Sequence, residues 1–268
     1  MRRGSRGGRP GIAQRSAAVC QSAAMAVFLL LSWWVAWGPG HRALEIPRGT
    51  PHAEALPSPE PLPSRGATLA DSFPADPKLS LRGGFTTVSG HDVPAIPRGN
   101  GRRLTYRVDV EDGLAERGFD AGLFASFVQR TLNDPRGWAH DGALSFERVS
   151  DGRADFAVTL ASPGTVNTWC AKAGLDTSEQ VVSCDVYGEE RVMINSYRWA
   201  LGAPTYGKDT LGYRRMLVNH EVGHRIGHDH ETCGRSGTPA PVMMQQTKTL
   251  TTGTAVCLPN PWPYPERS

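Results

Sequence analysis

Eleven residues in the C-terminal third, His220-Glu-Val-Gly-His-Arg-Ile-Gly-His-Asp-His230, limit this chain more than any other stretch. The first two histidines are four residues apart, so on a helix they stand one turn apart on the same side. If that helix continued, His230 would sit ~15 Å further along the axis than His220, beyond any atom the first two could share. Gly227 offers a way out, because a glycine at positive φ ends a helix and turns the chain sharply. His230 then returns beneath the first two histidines. His228, ~12 Å along a continuous helix and close behind the turn, is the competitor for the third place, with Asp229. The chain is therefore expected to hold a helix, an abrupt stop at Gly227 and a returning loop.

Imidazoles at this spacing can share one ion at ~2.0–2.1 Å from each nitrogen, and HExxH on a helix is a zinc pattern. The short motif alone also arises by chance, and the glycine and third histidine make it far more specific. The expected ligands of Zn2+ are His220, His224 and His230. Three neutral histidines leave a fourth position for water, the mark of a catalytic rather than a closed structural site. Glu221 lies one residue after the first ligand, where it can serve as the catalytic base.

The surrounding pattern is globular. A helix is expected from about Asp209, a plausible N-cap, to Ile226, with Leu211, Val218, Val222 and Ile226 recurring on one face. Leu104 to Val110 alternates as a strand should, Phe119 to Leu132 reads as an amphipathic helix stopped at Asn133-Asp-Pro135, and further strands fall near Leu144–Val149 and Asp155–Leu160. Gln180–Tyr187 and Arg191–Asn195 look like a strand pair joined at Gly188. Strands, an intervening helix and then the histidine helix predict an α+β domain over 85–268.

The N-terminal third is different. Arg2, Arg3, Arg6, Arg9, Arg15 and Arg42 precede the first acidic residue, Glu45, which leaves 23 basic against 26 acidic residues for the rest of the chain. A body that is slightly acidic once the tail is removed argues against nucleic acid as a partner. Residues 1–15 read as a cytoplasmic basic tail. Residues 16–40 carry no charge and include Ala26-Val-Phe-Leu-Leu-Leu-Ser-Trp-Trp-Val-Ala-Trp37, a transmembrane signal-anchor by length, with the arginines inside and Trp33, Trp34 and Trp37 near the outer interface. A cleaved signal peptide is the rival, weakened by the poor small-x-small site after the leucines. Eleven of the 21 prolines lie between Pro39 and Gly99, so 41–84 reads as a proline-rich disordered linker. Either N-terminal reading puts the domain outside the cytoplasm.

Cysteine usage agrees with export. Beyond Cys20 there are four, Cys170, Cys184, Cys233 and Cys257, and none are in the close spacing of a cysteine zinc site. Three pairings are possible; Cys170 with Cys184 and Cys233 with Cys257 each close a local loop and are favoured.

With HExxHxxGxxH and Pro241-Val-Met-Met-Gln-Gln-Thr247 in view, the chain resembles a metzincin, the zinc peptidase class with a methionine turn downstream of its histidines. The resemblance implies a zincin-like α+β fold: a twisted mixed β-sheet, two main helices with the second carrying HExxH, and a small C-terminal subdomain holding the Met-turn at Met243. It also implies hydrolysis of a peptide or protein substrate bound along an edge strand, for which Arg191–Asn195 is the candidate. More closely, Tyr106–Gly113, Asp134–Trp138, Asn219–His224, Ala240–Lys248 and Pro259–Trp262 resemble an uncharacterised domain family of exported actinobacterial proteins, which brings no settled substrate. Several metzincins place a tyrosine two residues after the turn methionine to stabilise the oxyanion. Here that position is Gln245, with Tyr206 and Tyr213 as other candidates. The expectation is a membrane-anchored extracytoplasmic zinc metallopeptidase, cell-wall associated substrates being possible. The alternatives are a non-catalytic surface module with structural zinc and a zinc amidase acting on cell-wall peptides.

Overall fold

The computed structural model describes residues 75–94 and 101–265. The expected basic tail, membrane segment and most of the proline-rich linker lie outside these residues. Among the described residues no helix is long and apolar enough to cross a membrane.

Alternation in the sequence builds a mixed sheet. Its longest strand, β2 (Arg102–Glu111), pairs antiparallel with β1 (Phe85–Thr87) and parallel with β3 (Leu144–Arg148) and β4 (Phe156–Ala161). β4 pairs parallel with β6 (Arg191–Asn195), which pairs antiparallel with the short β5 (Cys184–Asp185). The order is therefore β1-β2-β4-β6-β5, with β3 beside β2. Side chains on successive strand residues face opposite sides. Tyr106, Val108 and Val110 of β2, Phe156, Val158 and Leu160 of β4, and Val192 and Ile194 of β6 join the main core with α1 (Ala121–Leu132) and α4 (Thr210–Arg225). The other face holds a polar layer, where Arg191 Nη1 donates to Asp109 (2.7 Å) and Thr159 (2.8 Å). It also carries a smaller core around α2 (Pro163–Cys170) that includes Val166, Cys184, Val186 and Met193.

The second long helix begins after Asp209 as expected, and the first begins at Ala121, two residues later than the expected Phe119. Asp120 accepts the Leu123 amide at 2.9 Å and Asp209 accepts that of Gly212 at 2.8 Å, each satisfying an orphan donor of the first turn. Leu211 departs from the expected apolar face of α4, since it is exposed, and the buried face is built by Tyr213, Met216, Leu217, Val218 and Val222. α2 and α3 (Ser196–Leu201) are not legible in the periodicity; each is too short to show a repeat.

The domain also reaches back before residue 85. Leu79 O accepts the Gly164 amide (2.9 Å), Leu81 N donates to Ser162 (3.1 Å) and Gly83 N donates to the buried Glu111 (2.9 Å). Leu79 and Leu81 pack against the core, so the stretch from Leu79 belongs with the domain rather than the linker.

The two expected disulfides are present, Cys170–Cys184 and Cys233–Cys257. The first ties α2 to β5. The second closes a C-terminal subdomain with Ala240, Met244 and the hairpin of β7 (Thr251–Thr252) and β8 (Ala255–Val256). Such bonds persist in an oxidising compartment.

Candidate metal centre

α4 carries His220 and His224 on the side facing β5 and the 241–248 turn, and its end sets the third histidine. Gly227 has φ 99°; its amide donates to His224 O (3.0 Å), and the next amide, of His228, donates to Gly223 O (2.9 Å). These two bonds form a Schellman stop, which satisfies the last carbonyls of the helix and reverses the chain. The side-chain nitrogens of His220, His224 and His230 come within 4.8 Å of one another. His228 does not join them. Its ring stacks on Trp138 (4.3 Å between centroids, 21°), while its carbonyl holds His224 Nδ1 at 2.8 Å. Asp229 stands outside the cluster.

The chemistry of the donor set fits a metal. His220 Nδ1 donates to Val242 O (2.9 Å) and His224 Nδ1 to His228 O, which leaves each Nε2 with its lone pair directed inward. His224 Nε2 and His230 Nε2 are 3.2 Å apart. Two ligands of one tetrahedral zinc, each ~2.0–2.1 Å away, would be ~3.3–3.4 Å apart. Burial, and then the neighbouring His224 and His230, push the His220 imidazole down to about 3, despite the Val242 carbonyl. Burial and His224 lower His230 as well. Both rings are held neutral, the form that binds a metal.

Glu221 lies beside the histidines and is buried. Burial and the charge of Asp185 push its carboxyl up to about 8, against the pull of the Asp185 backbone amide and of Lys248. Asp185, on β5, is itself raised by burial and partly restored by Arg225, which contacts it at 2.5 Å. Arg225 also donates to the carbonyls of Glu189 (2.7 Å) and Arg191 (3.1 Å), clamping the β5–β6 turn to the end of the metal helix.

Beneath the histidines, Met243 is fully buried. A Cβ on Gly223 would meet Met243 Sδ at 2.3 Å and Trp138 Cζ2 at 2.9 Å, so the glycine between the two helical histidines lets these side chains lie against the helix. Trp138 Nε1 donates to Asn219 O (2.8 Å) and the Asn219 amide donates to Pro261 O (2.9 Å), which gives Asn219 a structural role.

The site opens into a cleft of about 440 Å³ walled by Leu175–Tyr187 on one side and Gln245–Lys248 on the other. Arg198 holds the first wall by donating to Val181 O (2.9 Å) and Gln180 O (2.6 Å), and Trp199 belongs to the core. Arg191–Asn195, expected to be the edge strand, is flanked on both sides by β4 and β5; the edge is Cys184–Asp185. The sequence shows Gln180–Tyr187 and Arg191–Asn195 as a pair, of which only Cys184–Asp185 forms the partner strand, but no local pattern tells which of the two lies outermost. Of the oxyanion candidates, Tyr206 donates to Gln246 (2.9 Å) and Tyr213 meets Thr247 (3.1 Å), and neither lines the cleft, whereas Gln245 does. Gly223, Trp138, Asp185, Arg225 and Lys248 escape a reading by motif, although Gly223 and Arg225 lie within the histidine segment itself.

The fold and site together define a class: an α+β domain whose longest helix and the loop after it direct three imidazoles to one point on the floor of an open cleft. The chain belongs to a family described as protein of unknown function (DUF3152), matched over residues 79–265. Searches of curated proteins and of solved structures found no match.

Proposed function

We propose that the domain is an extracytoplasmic zinc-dependent metallopeptidase related to the metzincins, held at the membrane by residues 16–40. The observation that carries this reading is the convergence of His220, His224 and His230 within 4.8 Å, beside a buried glutamate and open to a cleft. His228, engaged with Trp138, supports an open rather than a closed four-ligand site. Met243 beneath Gly223 supports the Met-turn assignment, and the two disulfides support export.

Zinc held by His220, His224 and His230 would supply Lewis acidity, lowering the pKa of a bound water to ~7 and polarising the scissile carbonyl. The protein does the rest. Val242 O and His228 O fix the two helical imidazoles in the ligand tautomer. Glu221 accepts the proton of the attacking water and passes it to the leaving amine, from its place beside the histidines in the same cleft. β5 is the outermost strand on this side of the sheet, the place where an extended substrate would add main-chain hydrogen bonds.

Glu221→Ala tests the assignment: the purified full chain should retain zinc while hydrolysis of a mixed peptide substrate disappears. Peptidase activity surviving in that variant would refute the role of Glu221.

A further inference from the structure

Lys248 has no role in the scheme above, yet it lines the same cleft as the three histidines. Its backbone is well fixed. Its amide donates to Gln245 O (2.9 Å), closing the turn around Gln246. Gln246 is fully buried and donates to Pro241 O (3.1 Å) and Asn260 O (2.8 Å), while its own oxygen accepts from Tyr206 and from Asn260 N.

The Lys248 ammonium makes no ion pair among the described residues, and among the residues lining the cleft it is the one lysine or arginine. Lys248 is exposed, and its side chain shares the lining of the cleft with His220, Glu221 and His230. Of the four acidic residues lining the cleft, Asp176 accepts from Ser178 and Asp185 is paired with Arg225, while Glu221 is buried and Asp229 adjoins His230. Leu175 and Tyr187, which also line the cleft, expose apolar surface to it.

We infer that Lys248 is a specificity-determining residue that receives a carboxylate of the bound ligand, so that the cleft selects peptides carrying an acidic group close to the scissile bond, with an apolar group against Leu175 and Tyr187. This deepens the peptidase reading and rests on it. The carboxylate comes either from an Asp or Glu side chain or from a free C-terminus; both present the same charge and acceptors to an ammonium.

Two ligands test the inference without turnover. Acetohydroxamate and the monohydroxamate of succinate carry the same zinc-binding group, and the second adds a carboxylate. Calorimetry on the zinc-loaded full chain at low salt should show the succinyl compound binding about tenfold tighter, a preference of the size expected for one partly solvated charge pair. Lys248→Gln should remove that preference and Lys248→Glu should reverse it, with acetohydroxamate affinity unchanged in both. Equal affinities in the unmodified chain, or a preference surviving in Lys248→Gln, would overturn the role of Lys248 and leave the peptidase reading intact. Failure of both hydroxamates to bind zinc-loaded protein would overturn the peptidase reading and this assignment with it. Peptides with an internal Glu and an amidated end, compared with neutral peptides having free or amidated ends, separate the two sources. Preferential cleavage of the first identifies a side-chain carboxylate, preference for free over amidated neutral ends identifies the C-terminus, and indifference across the set counts against Lys248.

Discussion

Gly227→Ala isolates the turn on which the third histidine depends. At φ 99° the residue occupies backbone space that L side chains rarely adopt, and an added Cβ would meet nothing within 4 Å, so the cost is conformational and not steric. That cost is ~1–2 kcal/mol, and for a domain of this size it should lower Tm by ~2–8 °C. Zinc binding should suffer separately. If the metal-free variant relaxes to negative φ, drawing His230 back to the ion restores the strain, and 1–2 kcal/mol corresponds to a ~5- to 30-fold loss of affinity. Gly234 provides the control, since its added Cβ also meets open space but its φ lies outside the left-handed range. Gly234→Ala should be neutral or stabilise by up to ~1 kcal/mol. The assay is thermal melting of both variants with and without chelator, combined with competitive zinc titration. Equal behaviour of the two variants would refute the argument that Gly227 positions His230.

Three further changes follow from the contacts. Gly223→Ala forces a methyl into Met243 and Trp138, and although alanine is the better helix former by ~1 kcal/mol, overpacking of ~1–3 kcal/mol should prevail, seen as a lower urea midpoint. Arg225→Met leaves Asp185 buried beside Glu221 without its cation and should destabilise by ~3 kcal/mol near neutral pH. Arg225 lowers the Asp185 pKa, so its removal raises that value further above the unfolded one. A raised carboxyl pKa costs stability as pH rises through it, so the Arg225→Met deficit should narrow as pH falls toward the ordinary carboxylate range; a deficit independent of pH would count against the Asp185 contact. Replacing Cys170 and Cys184 together by serine should cost ~2–5 kcal/mol by denaturant melts, because the pair ties α2 to β5 at the cleft.

Much of the scaffold is legible in the sequence where the local signal and the tertiary demand agree. Asp120 and Asp209 cap the helices they precede, the alternation of Leu104–Val110 puts Tyr106, Val108 and Val110 in one core, and both disulfides close the shorter loops. The histidine segment is legible because its geometry is nearly self-contained: helix spacing sets His220 and His224, and a local Schellman stop sets His230. What stays hidden depends on distant partners. Arg191–Asn195 reads as an edge because its pairing with the segment just before it is local, whereas the parallel pairing with β4 that puts it inside the sheet is not. Trp138, Asp185 and Lys248 enter the site from segments 35 or more residues before α4's histidines or from the turn beyond them, and no spacing rule connects them. Leu211 misleads because it lies on the outward side of the first turn of α4, where Gly212 and Tyr213 are the buried residues.

The most direct test of the account is a zinc titration of the metal-stripped full chain alongside His230→Ala and His228→Ala. The account expects one equivalent of zinc for the unmodified chain, bound with a rise in Tm, near-normal binding for His228→Ala and a loss of at least ~100-fold for His230→Ala. A folded chain that takes up no zinc, or one in which His228→Ala rather than His230→Ala abolishes binding, would contradict it.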